Sequence, residues 1–210
     1  SVAAMLGWLQ QAGYNLGATS AAAATALPAD GDALIQRLLE GRSNDPESGH
    51  RPPLAHLPLA AYEQWYASLP EPGRQQLEAR WGAPASDASL ESGGFPIHGL
   101  RFGHVVVLIQ PARGYDRDPA LSYHAPDLPP THAYLAQYLW LRQGFGAHAV
   151  VHVGKHGNLE WLPGKGLGLS DCCFPEWALG PLPHLYPFIV NDPGEGSQAK
   201  RRSQAVILDH

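Results

Sequence analysis

Two histidines and a glutamate are spaced four residues apart in the segment HVGKHGNLEWLPGK, which spans residues 152–165. They are His152, His156 and Glu160. Imidazole nitrogens and a carboxylate together suit divalent cobalt, zinc or iron. The same groups can also act as general acids and bases. The segment therefore predicts a metal site or an acid–base site, and hydrogen bonding within a tight turn is the structural alternative.

The glycines of this segment determine the backbone that we expect. Gly154 and Gly157 disfavour a continuous helix, which would be needed to place all three side chains on one face. We expect instead that the apolar strand 149–151 ends at His152, and that a single helical turn follows at 158–161. The H-E-x-x-H motif of zinc proteases is absent, so a metallohydrolase is disfavoured.

Two further histidines precede this strand. His124 and His132 are second-rank candidates for the same site, and each is also explained by a structural role. The remaining histidines, His184 among them, show no pattern that indicates function.

A second polar segment, NDPGEGSQAKRR, follows a third apolar run. It supplies Asn191, Asp192 and Glu195 at the entrance of a predicted helix, where free backbone N–H groups can bind an anion. Arg201 and Arg202 can pair with carboxylates. The structural alternative is an ordinary solvated helix face.

Three apolar, β-branched runs predict buried strands, and each leads into a polar loop rich in glycine or proline. VVVLIQP precedes ARGYDRD, AVVHV precedes GKHGNLEW, and PFIV precedes NDPGEG. Their alternation with helices predicts an α/β fold with a largely parallel sheet and flanking helices, Rossmann-like in arrangement. Ligands of such sheets bind outside the carboxyl ends of the strands, so we expect the three loops to line one crevice.

Capping and breaking residues predict the other elements. We expect a helix that ends near Gly13, another from Asp30 or Asp32 to Gly41, and two short helices interrupted at Leu69–Pro70. A hairpin is predicted around Gly99. A helix runs from Thr131 to Gly144, and a closing helix has Ser197 near its cap and includes QAVILDH.

The predicted secondary structure of the chain changes near residue 90. Residues 1–90 are predicted to be a mostly helical N-terminal segment, a partial α/β unit, and residues 91–210 an α/β core segment. The chain opens without methionine inside a helical pattern and closes on an apolar one. We therefore expect both segments to be part of a longer polypeptide.

Composition excludes several classes of protein. The net charge of −5 and the pI near 6.1 argue against nucleic acid as a partner. No stretch reaches the roughly 18 apolar residues that a membrane span needs. The two adjacent cysteines cannot form a disulfide framework, and we predict a cytoplasmic location. The phosphate-binding motif G-x-x-x-x-G-K-[ST] is absent, so we expect no nucleotide hydrolysis by this chain itself.

Long motifs in the second half resemble the cobaltochelatase large-subunit family, CobN, which is related to the large subunit of magnesium chelatase. The resemblance covers residues 95–210 and rests on ARGYDRDP, on YHAPDLPPTHAYLAQYLWLRQGFGAHAVVHVGKHGNLEWLPGKGLGLS, and on GPLPHLYPFIVNDPGEGSQAKRRSQAVILDH. LPADGDALIQRLLEG and YEQWYASLP extend it more weakly toward the N-terminus. The magnesium branch typically has threonine in place of Lys155 and EFMPGK in place of EWLPGK, so these positions favour the cobalt branch.

The resemblance implies insertion of Co²⁺, the substrate metal, into hydrogenobyrinic acid a,c-diamide during aerobic cobalamin biosynthesis. It implies an AAA+ ATPase subunit and a second small chelatase subunit as partners, which supply ATP and Mg²⁺. Under this hypothesis Glu160 accepts protons or transiently ligates the metal, and His152 and His156 deliver metal or act as bases. Trp161 packs on the macrocycle, whose peripheral carboxylates pair with Lys155, Lys165, Arg201 and Arg202.

Two alternatives remain open at this point. The chain is also compatible with a non-catalytic module that binds a tetrapyrrole or a partner. The magnesium chelatase large subunit, which inserts Mg²⁺ into protoporphyrin IX, is the second alternative.

Overall fold

The computed structural model describes residues 2–17, 26–114, 125, 127–154, 157–187 and 193–208. Contacts divide the chain into two compact units that interleave in sequence. Unit 1 comprises residues 1–56 and 96–109, and unit 2 comprises residues 57–95 and 110–210. The predicted division between residues 90 and 91 followed sequence character rather than contacts, and it stays a prediction.

Seven α-helices lie in the described part of the chain. Their bounds are α1 Val2–Gln11, α2 Gly31–Glu40, α3 Leu59–Ala67, α4 Glu71–Trp81, α5 His132–Leu139, α6 Phe174–Leu179 and α7 Pro193–Arg202. Helix α5 continues directly as a π-helical segment, Trp140–Phe145. Short 3₁₀ turns occur at Pro46–His50, Pro84–Ser86 and Leu159–Trp161.

Seven short strands form three small sheets in the described residues. Their bounds are β1 Ala55–Pro58, β2 Gly94–Ile97, β3 Gly99–Phe102, β4 Val105–Leu108, β5 Val150–Val151, β6 His184–Pro187 and β7 Val206–Leu208. The sheets are β1–β2, β3–β4 and β5–β6–β7. Only the last is parallel, with Val151 opposite Leu185 and Leu185 opposite Val206.

Unit 1 is held together by a cluster of three leucines and one phenylalanine. Helix α2 has Asp30 as its N-cap, whose carboxylate accepts a hydrogen bond from the Ala33 N–H, and Gly41 as its C-cap, as predicted. Its Leu34 packs with Leu6 of α1 and Phe102 of β3. The β3–β4 hairpin completes this unit and pairs Phe102 with Val105.

Unit 2 contains the aromatic helices and the parallel sheet. Helices α3 and α4 are separated at Leu69–Pro70, as predicted. Helix α5 begins at Thr131, whose hydroxyl accepts from the Tyr134 N–H, and it is buried along its length. The parallel sheet packs through Tyr186 and Ile207 onto Ala199 of α7.

The α/β class is confirmed, but the predicted largely parallel sheet is found only in part, because β5–β6–β7 is the one parallel sheet among the three in the described residues. The run VVVL, predicted as a buried parallel strand, is the half-buried strand β4 and pairs antiparallel with β3. The antiparallel geometry follows from the two-residue connection Gly103–His104, where Gly103 has a φ of +54° that suits a tight hairpin turn. The three small sheets of the described residues do not confirm the predicted Rossmann-like arrangement.

Three local predictions are also corrected. The hairpin does not turn at Gly99, because β2 pairs with β1 instead of β3. Helix α5 and its π-helical extension end at Gly146, in the left-handed conformation, rather than at Gly144. The closing helix begins at Pro193, not near Ser197, and stops at Arg202.

The last described segment is strand β7 instead of helix. Gln204 adopts a left-handed φ of +52°, which ends the helical path, and Val206 and Ile207 are β-branched. A short apolar run of this kind is compatible with either a helix or a strand until its partner strand is known.

None of the described helices is both long enough and apolar enough to cross a bilayer.

Candidate functional site

A network of buried and half-buried polar side chains in unit 2 surrounds the end of strand β5. It joins Gln110, two residues after β4, to Tyr134 and Tyr138 of α5 and to His152 at the strand end. Strand β6 adds His184 and Tyr186 from one face, because alternate residues of a strand point the same way. Four separate chain segments thus meet around the two imidazoles, and the 159–161 turn adds the carboxyl group of Glu160.

The orientation of the Gln110 amide is set by its neighbours. Its Oε1 accepts from the Asn158 N–H at 3.1 Å, so its Nε2 faces the opposite side. There Nε2 lies 3.0 Å from the Tyr138 hydroxyl oxygen and 3.3 Å from that of Tyr134. Gln110 therefore connects the segment after β4 with the loop after β5.

His152 and His184 form a direct imidazole pair. His152 Nδ1 lies 2.8 Å from His184 Nε2, and the two rings meet edge to face. Burial, and the proximity of His184, lower the pKa of His152 to about 3, and burial lowers the pKa of His184 as well. Both rings are consequently neutral near pH 7.

Both ring nitrogens of His152 have protein partners in this geometry. Its Nε2 lies 3.1 Å from the Tyr138 hydroxyl and 3.3 Å from Gln110 Nε2. Burial raises the pKa of Tyr138 to about 12, so its hydroxyl keeps its proton and can donate it to the imidazole. The Tyr138 hydroxyl therefore hydrogen-bonds helix α5 to the imidazole at the end of β5.

Glu160 is completely buried in the 3₁₀ turn Leu159–Trp161, which the sequence predicted. Its Oε1 accepts from the Tyr186 hydroxyl at 3.5 Å, and that hydroxyl accepts from the Gly157 N–H at 2.5 Å. The Tyr186 ring stacks on His184 and is tilted against His152. Tyr186 therefore links the glutamate to the imidazole pair.

Gly157 has a steric role in this arrangement. A Cβ at this position would lie 3.2 Å from Gln110 Oε1, closer than ordinary van der Waals contact. The small residue lets the loop approach Gln110 while its N–H donates to Tyr186.

The arrangement is chemically an acid–base network. It combines a carboxyl group, two neutral imidazoles and phenol hydroxyls within hydrogen-bond reach, which suits proton uptake and relay. Within the described ranges, no group of three histidine, cysteine, aspartate or glutamate side chains is placed to hold a metal ion. Several predicted site residues, namely Lys155, His156, His124, Asn191 and Asp192, lie outside the described residues.

Helix α7 packs beside the 159–161 turn and carries other predicted residues. Arg202 is buried, and its guanidinium donates to the Leu162 carbonyl at 2.5 Å, while Arg201 is exposed. Glu195 is half-buried in the first turn of the helix. Arg202 therefore connects helix α7 to the loop that follows the 159–161 turn.

The loop after Glu160 places the remaining predicted residues. Trp161 is half-buried and Lys165 is exposed. The Lys165 backbone N–H donates to the buried Cys173 Sγ at 3.3 Å, and the Ser170 N–H does so at 3.4 Å. Cys173 thus anchors the loop that presents Lys165.

His132 lies in a different cluster. Its Nε2 donates to the Gly82 carbonyl at 2.9 Å, and its Nδ1 accepts from the Tyr62 hydroxyl at 2.9 Å. The ring is fully buried and packs edge-on against Tyr62 and Tyr66. These contacts give His132 a structural role in joining α5 to α3 and α4.

Sequence patterns alone did not identify His184, Gln110, Tyr134, Tyr138 or Tyr186 as site residues. The alternation of His184 and Tyr186 in HLYP is a signal for two polar side chains on one strand face. Gln110 has no comparable signal, because its partners are separated from it by 24 to 48 residues.

The whole chain, residues 1–210, matches the family described as CobN/Magnesium Chelatase. It is 59% identical over 185 residues to aerobic cobaltochelatase subunit CobN of Pseudomonas aeruginosa, which covers 88% of this chain and 15% of that protein. It is 41% identical over 139 residues to a magnesium-chelatase subunit of Cereibacter sphaeroides, which covers 66% of this chain and 12% of that protein.

A solved structure of the catalytic subunit of cobaltochelatase from Mycobacterium tuberculosis is similar along all of this chain. The TM-score is 0.83 at 46% sequence identity, and the match covers 18% of that protein. The chain thus spans about a seventh to a fifth of the length of these cobaltochelatase relatives. It belongs to the CobN/magnesium chelatase family.

Proposed function

We propose that this chain is the part of an ATP-dependent cobaltochelatase large subunit that handles protons while Co²⁺ enters hydrogenobyrinic acid a,c-diamide. The reaction belongs to aerobic cobalamin biosynthesis, and we propose that it takes place in the cytoplasm. The observation that carries this proposal is the polar network of unit 2, in which Tyr138 is hydrogen-bonded to His152 and Tyr186 to the buried Glu160, in a chain of this family.

Sequence identity supports the cobalt branch over the magnesium branch. The identity to CobN of Pseudomonas aeruginosa is 59% over 88% of the chain, against 41% over 66% for the magnesium-chelatase relative from Cereibacter sphaeroides. Within residues 152–165, Lys155 and the sequence EWLPGK agree with the cobalt branch. Insertion of Mg²⁺ into protoporphyrin IX is the weaker alternative.

Metal insertion needs acceptors for the protons that Co²⁺ displaces from the inner nitrogens of the macrocycle. We assign proton acceptance to Glu160, with His152 as a base that passes protons on, because the pKa of about 3 does not let its ring keep a proton near pH 7. Because Glu160 has no exposed surface, a hydrated ion has no direct route to it in this conformation, which favours the proton role over direct ligation. Tyr186, hydrogen-bonded to Glu160, is the group through which protons would reach the carboxyl.

Metal delivery requires ligands that release the ion again. We propose that His156 and His152 act in this step, with His124 as a second-rank ligand. His132 keeps the metal role that the sequence suggested only if its hydrogen bonds to Gly82 and Tyr62 break.

The macrocycle carries carboxylates, which pair with exposed cations. We propose Lys155, Lys165 and Arg201 for this role, and Trp161 for packing against the ring. Arg202 is better suited to fix α7 against the loop that follows the 159–161 turn, because it is buried and donates to the Leu162 carbonyl. Asn191, Asp192 and Glu195 are proposed to line the substrate site from the entrance of α7.

The source of energy is proposed to lie in partner subunits. An AAA+ ATPase and a second small chelatase subunit would bind ATP and Mg²⁺, which agrees with the absence of a phosphate-loop motif from the 210 residues. No nucleic-acid partner or membrane span is proposed. The two sequence segments, 1–90 and 91–210, are proposed to be parts of one longer polypeptide.

The test is cobalt insertion by the full-length protein with its partners, ATP and the macrocycle. Glu160→Gln keeps the size of the side chain but removes its basicity. We expect the rate to fall by about 10²-fold or more, the usual contribution of a general base. Glu63→Gln, at an exposed position of α3, is the matched control and should insert cobalt at the wild-type rate.

Macrocycle binding measured on the same variants separates the proposed enzyme from a binding module. Tight binding together with an unchanged insertion rate in Glu160→Gln would favour the module. Faster insertion of Mg²⁺ than of Co²⁺ by the wild-type complex would favour the magnesium alternative.

A further inference from the structure

His184 ends a chain of hydrogen bonds whose direction can be assigned from one carbonyl group. Its Nδ1 lies 3.0 Å from the Ser203 carbonyl oxygen, and the ring is 2% exposed. A carbonyl oxygen only accepts hydrogen bonds, so the Nδ1 of His184 must carry the proton.

The remaining nitrogen of His184 then determines the state of His152. In a neutral imidazole only one nitrogen carries hydrogen, so the His184 Nε2 is an acceptor. Burial lowers the pKa of His184, which agrees with the neutral ring. The atom that faces it at 2.8 Å, His152 Nδ1, must therefore donate.

It follows that His152 is the Nδ1–H tautomer and that its Nε2 carries the lone pair. That lone pair faces the Tyr138 hydroxyl at 3.1 Å. Tyr138 in turn accepts from Gln110, whose amide orientation is set by the Asn158 N–H. Every hydrogen bond along this path is consistent with the assignment.

We propose that His184 is a positioning residue that holds His152 in the Nδ1–H tautomer, so that Nε2 is the atom which His152 presents to a proton or to Co²⁺. The catalytic part of this proposal rests on the proposed function. Hydrogen bonding at one imidazole nitrogen commonly determines which nitrogen is available for chemistry at the other side of the ring. A rotation of the Tyr138 O–H away from the ring would expose the lone pair.

Two substitutions separate the two hydrogen bonds of His184. In His184→Gln, the amide oxygen can take the place of Nε2 and still accept from His152. In His184→Asn, the amide nitrogen can take the place of Nδ1 and still donate to Ser203, but nothing reaches His152. A residue that serves only packing would tolerate these two replacements equally.

Steady-state cobalt insertion by the full-length protein with its partners is the first readout. We expect His184→Asn to lower kcat at least tenfold with an unchanged KM for the macrocycle, and His184→Gln to stay within about threefold of wild type. Equal losses in both variants, no loss in either, or a loss confined to His184→Gln would each overturn the proposal.

The second readout does not depend on activity. Solid-state ¹⁵N spectra of the full-length protein, labelled in its histidine rings, distinguish a protonated Nδ1 from a protonated Nε2. The His152 signals are those that disappear in His152→Gln. We expect Nδ1–H in wild type and in His184→Gln, and a mixture or Nε2–H in His184→Asn. Nε2–H in wild type would overturn the tautomer assignment, even if the chain proves not to be a chelatase.

Discussion

The two units of this chain are built around cores of different chemistry. Unit 1 packs Leu6, Leu16, Leu34 and Phe102 into an aliphatic and aromatic cluster without a titratable member. Unit 2 buries many polar and charged side chains among its apolar ones, namely Asp87, Arg113, Thr131, His132, Gln137, Asn158, Glu160, His184, Arg202 and Ser203. Burial of such groups is costly unless they are hydrogen-bonded.

The difference indicates where the chain carries its chemistry. An apolar core stabilises a fold, and it requires of its side chains mainly a suitable size and shape. A buried polar network requires each member to be placed by others, as His152 is by His184, Tyr138 and Gln110. We therefore propose that unit 1 is scaffold and that unit 2 contains the site.

The largest expected effect on stability is in unit 1. Phe102→Ala removes a ring that is 2% exposed and leaves a cavity among leucines, which should cost about 3–5 kcal/mol. Hydrogen exchange of the full-length protein, resolved by segment, should show this loss in residues 96–109 and 31–40. A loss below about 1 kcal/mol would contradict the role of this cluster.

Removing a tyrosine hydroxyl should lower the free energy of unfolding more in unit 2 than in unit 1. Tyr138→Phe removes the nearer donor to the His152 Nε2 and one acceptor of the Gln110 amide, and each lost hydrogen bond costs about 1 kcal/mol. Tyr14→Phe, at a position that is 57% exposed, should change exchange rates very little. Equal effects of the two substitutions would remove the distinction between the units.

Mild acid should destabilise unit 2 through His152. Its pKa is about 3 in the fold, below the ordinary value of 6.5, so between these values the unfolded chain binds more protons. Stability must therefore fall as pH falls through this window, by about 1–2 kcal/mol between pH 7 and pH 5 from this group alone. Exchange rates of residues 132–154 measured at both pH values check this.

Two variants control for the source of that pH dependence. His152→Gln should make the stability of unit 2 less dependent on pH. His148→Gln, at an exposed position in the same segment, should leave the dependence as it is in wild type. The opposite pattern would show that His152 is not the responsible group.

The smallest expected effects differ in sign between the units. Gly157→Ala places a Cβ 3.2 Å from Gln110 Oε1, and the hydrogen bonds of that amide resist its displacement, so we expect a loss of about 1 kcal/mol. Gly7→Ala lies inside α1, where the added Cβ would meet no atom of another element within 4 Å. This substitution should gain about 0.5–1 kcal/mol from helix propensity. Thermal unfolding of the full-length variants compares them, and a gain at residue 157 would contradict the tight approach of that loop.

Local features of the site were predictable from sequence because they depend on nearby residues. The strand end at His152 and the turn at 159–161 follow from the glycines and proline around them. The N-caps at Asp30 and Thr131 follow from a side chain and a backbone N–H three residues later.

Partners distant in sequence were not predictable in the same way. An apolar run such as VVVL indicates a strand but does not indicate which strand it pairs with, and β4 pairs with its hairpin neighbour. His184 joins the site only because β6 lies beside β5 in parallel register. That register depends on packing of the whole unit, which a local pattern does not contain.

The buried network of unit 2, and not the core of unit 1, is proposed to perform the chemistry of metal insertion. The most direct test compares Glu160→Gln with Leu34→Ala in the full-length protein, measuring the cobalt insertion rate per folded molecule at a temperature where both are folded. We expect Glu160→Gln to lose about 10²-fold or more in rate while Leu34→Ala keeps the wild-type rate. Wild-type insertion by Glu160→Gln, or an equal loss in Leu34→Ala, would contradict this assignment.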